Sequence, residues 1–111
     1  MTDTTLDPED NKIIVLARSA RARNGTAQGA AVRDETGRTY VATDVALPSL
    51  TLTALQVAVA MAVSSGARSL EAAALVTDAD EPGDADRAVV ADLGTPVLIT
   101  AGPDGTIRQS R

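Results

Sequence analysis

The densest chemistry in the chain is a run of carboxylates: Asp78, Asp80, Glu81, Asp84 and Asp86 put five acids within nine residues. Such a set offers oxygen ligands to a hard cation, and acids that a carboxylate-dependent hydrolase would need. The spacing fails the calcium-loop pattern, which is longer and ends in Glu. A solvated loop leading into a helix is the simplest account, because acids near the free amides of a helix start are stabilised by its dipole. Thr39, Thr43, Thr51 and Thr53 have hydroxyls for a ligand, and equally suit strands and helix caps. Gln56 is the odd residue in LTALQVAVAMAV. One amide among apolar neighbours needs a hydrogen-bond partner or loses about 1–3 kcal/mol; a subunit interface or a pocket would supply it.

The chain has 111 residues with no Cys and no His. Thiolate ligation, disulfides, thiol nucleophiles and imidazole acid–base chemistry are therefore excluded. Gly25 and Gly29 lack the spacing of a phosphate loop, and no serine sits in a GxSxG elbow. The formal charge of −5 and a single aromatic residue, Tyr40, argue against nucleic acid, which asks for a basic stripe and stacking surfaces. The polar, acidic start MTDTTLDPED is unlike an export signal, and LQVAVAMAV is far short of the ~20 residues of a membrane span. A cytoplasmic protein with no membrane association is the expectation. A core of Ala, Val, Leu and Ile without rings removes less apolar area per residue, so the domain gains from a partner subunit.

These residues must be positioned by a short alternating set of elements. Residues 1–7 are expected to be disordered, with a helix from Pro8 to about Arg23 stopped by Asn24-Gly25. TAQGAAVRD and TYVATDV flank the turn DETGR as an antiparallel pair. Ser49 or Thr51 would cap a helix from Leu52 to Val63, which carries no charge at all. That helix asks for cover on both sides, by the sheet and by another subunit. EAAALVTD is a strand buried on both faces, followed by a helix over Asp84–Leu93 with Val89, Val90 and Leu93 inward. TPVLIT and TIRQS are further strands. The expected fold is α/β, one domain over 1–111: a three-layer α/β/α sandwich with a mixed sheet of four or five strands.

The order of these elements, with GAAVRDETGRTYVATDV, SLTLTAL and AVAMAVSSGARSLEAAALVTD, resembles the small homo-oligomeric cytidine deaminases over Leu16 to about Ile107. That family has a GAA strand, a DGR-type turn, an Asn-Val-Glu segment that grips the nucleoside, and helix openings GLTxCAER and PCGxCRQ. The resemblance places the first cysteine on Thr53, the proton-shuttling glutamate on Leu55 and the paired cysteines on Gly83 and Asp86. The Asn-Val-Glu segment falls on Asp44-Val45-Ala46, and the aromatic-rich stretch after the first helix is shortened to RNGTA. A deaminase activates water on Zn²⁺ held by His or Cys and moves protons with a Glu. Gly83 has no ligand side chain, Thr53 only a neutral hydroxyl, and Leu55 cannot carry a proton. The reading is a degenerate member with no catalytic residues, no bound metal and no cofactor. The resemblance implies a homodimer or homotetramer. The expected functions are a structural or interaction subunit, of itself or of an unidentified protein partner, with the old pocket collapsed around Leu55; a nucleoside-binding module in a remnant pocket of Asp44, Ala46, Thr53, Leu55, Gly83 and Asp86; and, behind both, a cytidine deaminase with an unconventional site.

Overall fold

Asp7 begins the first helix. Its carboxylate accepts the Glu9 amide at 2.8 Å, and Pro8, whose φ is already helical, takes the first position of α1 (Pro8–Asn24). Glu9 and Asp10 lie in the first turn and Arg21 and Arg23 in the last, each sign matched to the helix dipole. Gly25 ends the helix at φ 64°, a left-handed conformation that a side chain resists. The computed structural model describes residues 6–110. Of the disorder expected over residues 1–7, residues 1–5 lie outside the described ones. Leu6 packs against the core under α1, and Asp7 is the helix cap.

The chain continues through β1 (Gly29–Asp34), β2 (Thr39–Thr43), β3 (Val45–Leu47), β4 (Leu50–Leu52), α2 (Ala54–Ser64), β5 (Leu70–Val76), α3 (Asp84–Asp92), β6 (Leu98–Ala101) and β7 (Ile107–Ser110). Five strands form one sheet in the order β2-β1-β5-β6-β7, antiparallel throughout except for the β5–β6 pair joined by α3. One face packs under α1 through Ile13, Ala17, Ala31, Ala74 and Ile99; the other packs under α2 and α3 through Val32, Leu55, Ala58, Leu75 and Val90. The α/β/α layers and mixed sheet follow the sequence expectation. β5 is buried on both faces, as its continuous apolar run requires. No helix among the described residues is long and apolar enough to cross a membrane.

One local expectation changes. TYVATDV breaks at Asp44, and β3 and β4 form a separate two-stranded hairpin with Val45 opposite Leu52 and Leu47 opposite Leu50. The pairing holds Leu50–Leu52 extended, so α2 starts at Ala54. Its cap is Thr53 rather than Ser49 or Thr51.

Candidate functional site

Two helix N-termini meet at the end of β5. At α2, Thr53 and Gln56 form a reciprocal capping box: the Thr53 hydroxyl oxygen accepts the Gln56 amide at 3.1 Å, and the Gln56 side-chain oxygen accepts the Thr53 amide at 2.9 Å. The hydrogen-bond need of Gln56 is thus met within its own helix turn. The signal was present in the sequence as Thr-x-x-Gln. Across the gap, α3 begins at Gly83 without a side-chain cap. Asp86, one turn in, is only 2 % exposed, and the Thr53 hydroxyl donates to its Oδ1 at 2.5 Å. A buried carboxylate needs such partners and a favourable dipole. Asp86 therefore ties α3 to α2 rather than capping its own helix.

Beside this contact opens a cleft of about 290 Å³ whose walls include Gln28, Asp44, Val45, Ala46, Thr53 and Thr77. Asp44 accepts the Gln28 amide at 2.8 Å, and the Gln28 side-chain oxygen accepts the Ala54 amide at 3.3 Å, so one residue links the Asp44 bend to the start of α2. The opposite wall is held from β7. Arg108 Nη1 donates to the carbonyls of Asp78 at 2.7 Å, Ala79 at 3.1 Å and Thr77 at 3.3 Å. Gly102 leaves room for that guanidinium: a Cβ there would lie 2.7 Å from Arg108 Nη2. Gln28, Thr77 and Arg108 carried no motif by which sequence reading could find them.

The structure brings Asp44, Ala46 and Thr53 to the cleft. It sets Asp86 behind Thr53, outside the cleft lining. Leu55 is fully buried in the core under α2, beside Val59 and Val90. The expectation that Leu55 fills the pocket is corrected: its side chain goes to the sheet, and the cleft stays open. Gly83 is exposed on the loop. The acidic run disperses. Asp86 turns inward, Glu81 pairs with Arg87, and Asp78 lies 3.6 Å from Arg21. No group of three or more Asp, Glu, His or Cys gathers among the described residues.

The family model described as cytidine deaminase-like matches residues 6–105. In solved structures the fold is similar to cytidine deaminase from Burkholderia pseudomallei, at 24 % identity and a TM-score of 0.75 over 90 % of this chain and 89 % of that one. Cytidine deaminase from Mycobacterium leprae matches at 24 % identity and 0.70, covering 94 % of both chains. That from Mycobacterium tuberculosis matches at 27 % and 0.70, covering 93 % and 91 %. No protein of curated function matches the chain.

Zinc, which this fold family implies, does not fit the donor set at the helix junction. Structural and catalytic zinc sites take three or four His, Cys or carboxylate ligands. Here the junction presents one carboxylate, already engaged by Thr53, with a neutral hydroxyl and a glycine. With its fold, its matched length and an exchanged helix junction together, the chain belongs to the cytidine deaminase-like family, as a member without the zinc-ligand set.

Proposed function

We propose that this chain is a non-catalytic, self-associating member of its family that serves as a structural or interaction subunit, as a homodimer or homotetramer. The observation that carries the reading is the buried Thr53–Asp86 hydrogen bond of 2.5 Å. At the junction of α2 and α3 the polar groups satisfy one another, so the frame is braced without a metal. Leu55, where the resemblance puts a proton-shuttling glutamate, turns into the core under α2 and leaves the cleft without an acid at that position. Self-association is supported by α2, whose outward side leaves Met61 40 % and Val63 48 % exposed with no charge beside them. Metal analysis after chelator-free purification, with an ultraviolet assay of cytidine and deoxycytidine, tests the chemistry. The expected result is neither stoichiometric zinc nor loss of the cytosine absorbance. Zinc at one per chain, with turnover removed by Asp86→Ala, would overturn it. Light scattering at micromolar protein tests the assembly, and a clean monomer would end that part.

A second reading has its own observation, the open cleft: a nucleoside-binding module that does not turn its ligand over. Asp44 and Thr53 would supply the polar contacts. A ligand that binds only the folded state stabilises it by about 2.7 kcal/mol at a hundred times its dissociation constant. A thermal shift with cytidine or uridine that disappears in Thr53→Leu would favour this module. No shift at millimolar ligand leaves the interaction subunit.

A further inference from the structure

Both loops at the carboxyl ends of the parallel pair β5 and β6 are fastened by arginines to backbone oxygens. After β6, Arg18 of α1 donates from Nε to the Pro103 carbonyl at 3.1 Å. After β5, Arg108 of β7 does more, because its Nη1 alone meets the consecutive carbonyls of Thr77, Asp78 and Ala79. Nη1 has a hydrogen fewer than it has acceptors there, so charge as well as hydrogen bonding holds it. Backbone carbonyls turned to one point are a cation cage, since their oxygens take the place of a hydration shell.

The cage also has a flat floor. The position a Cβ of Gly102 would take lies 2.7 Å from Nη2, 2.9 Å from Cζ and 3.0 Å from Nε of Arg108. Such similar distances to three atoms of one plane set the guanidinium broadside to Gly102. A planar, weakly hydrated cation suits that floor; an ammonium, compact and strongly hydrated, has no face to lay on it. Carbonyls thus select the charge and glycine selects the shape. The strand that delivers the cation is slight. β7 has four residues at the edge of the sheet, three of them exposed, and its register with β6 shifts between Thr100 and Ala101. Elements with so little burial open more readily than the core.

We propose that the carbonyls of Thr77, Asp78 and Ala79, with Gly102, form a guanidinium-binding site filled in cis by Arg108, through which β7 latches one wall of the cleft. Thr77 and Asp78 are lining residues of that cleft. Another side-chain hold on this loop is the Asp78 carboxylate, which is 80 % exposed and 3.6 Å from Arg21. Exposed ion pairs contribute little, so Arg108 is the stronger tie. With β7 seated, the wall is fixed. With Arg108 withdrawn, the wall loosens and the site is open to a guanidinium from solution. The latch acts on the wall whether or not a ligand enters the cleft, and so stands apart from both functional readings.

Arg108→Ala empties the site, and Arg108→Gln, uncharged but longer, is carried beside it in case the first does not fold; circular dichroism reports folding. The amides of Thr77, bonded to the Ala101 carbonyl, and of Ala79, bonded to the Thr77 hydroxyl, report on the loop. Their hydrogen exchange is expected to rise about tenfold in either variant. Guanidinium chloride, well below denaturing concentrations, should reverse that rise and raise the variant's melting temperature but not the wild type's, as a ligand of the folded state must. Ammonium chloride at the same ionic strength should do neither. Gly102→Ala is the control: its Cβ takes the space of the guanidinium, so exchange should rise without any response to guanidinium. Unchanged exchange in the Arg108 variants would overturn the latch. A rise that guanidinium leaves in place, or that ammonium reverses equally, would overturn the guanidinium site. Reversal in Gly102→Ala, or equal stabilisation of the wild type, would show the ion acting elsewhere and overturn it too.

Discussion

The two faces of the central sheet cover the same five strands in different ways. Under α1 the contacts close within one chain. Gly29 lets the carbonyl of Ala17 come down onto β1, and Arg33 donates to Asp10 at 2.8 Å and to Glu71 at 2.9 Å at the edge of that layer. The outward side of α1 is charged, with Lys12, Arg18 and Arg23 exposed. Under α2 and α3 the core is as well buried, but the outward side of α2 is uncharged and apolar, and the helix starts flank an open cleft. The first face is suited to water. The second carries the uncharged outward side of α2 and the open cleft, and it is the one where the residues of the resemblance are exchanged.

The largest expected effect tests whether the exchanged site tolerates its family residue. Leu55→Glu places an unpaired carboxyl in a fully buried position and is expected to cost about 3–5 kcal/mol. A urea midpoint close to wild type would show that Leu55 borders the cleft after all. On the other face, Gly29→Ala sets a Cβ 2.1 Å from the Ala17 carbonyl oxygen. The helix must lift off the sheet, at a cost of about 3 kcal/mol; an unchanged midpoint would show that α1 is loosely seated.

Asp86→Ala tests the brace itself. Losing the buried acceptor of the Thr53 hydroxyl is expected to cost about 2 kcal/mol. A double-mutant cycle with Thr53→Val should be non-additive, because the two share one hydrogen bond; additive costs would show two independent roles.

Asp34 provides a pH test at the far end of β1. Burial alone pushes its carboxyl up, but hydrogen bonds from the Thr36 hydroxyl and amide, the Arg38 amide and the Tyr40 hydroxyl outweigh it and hold the value below the ordinary 3.8. A depressed folded value contributes stability that is present above the unfolded value and lost as pH falls through the folded one. The stability gap between wild type and Asp34→Asn should therefore be full at neutral pH and shrink below about pH 3.8. A gap that persists unchanged in acid would assign the effect to shape rather than charge.

The smallest expected effect is a gain. The Thr100 hydroxyl oxygen is fully buried with no hydrogen-bond partner among the described residues. Thr100→Val keeps the shape and removes the unmet polar group, for about 1 kcal/mol of added stability. Calorimetry showing destabilisation would reveal a partner for that hydroxyl.

Most of the architecture was legible because its causes are local. Pro8 and Asn24-Gly25 delimit α1 through the backbone preferences of those residues, DETGR turns because of its glycine and acid, and the apolar run of β5 announces burial on both faces. The cap of α2 was legible too, as Thr53-x-x-Gln56, but Ser49 and Thr51 compete for the role in sequence. Only the pairing of Leu50–Leu52 with Val45–Leu47 removes them. Three-residue strands carry too little periodicity to be seen, and the break at Asp44 depends on a bond to Gln28 from another segment.

By itself the sequence determined what chemistry is missing. Without Cys or His, and with leucine and glycine at two of the aligned positions, no arrangement in space can restore the ligand set. It also determined the uncharged run over residues 45–67, which leaves α2 without a charge on its outward side. The tertiary structure decided what replaces the site. Thr53 and Asp86 stand 33 positions apart, and their contact exists because α2 and α3 lie on the same sheet face with their N-termini converging. Whether Leu55 fills the cleft or the core turns on the phase of one helix relative to the sheet. Neighbour-to-neighbour preferences set helix and strand; only the stacking of layers sets that phase.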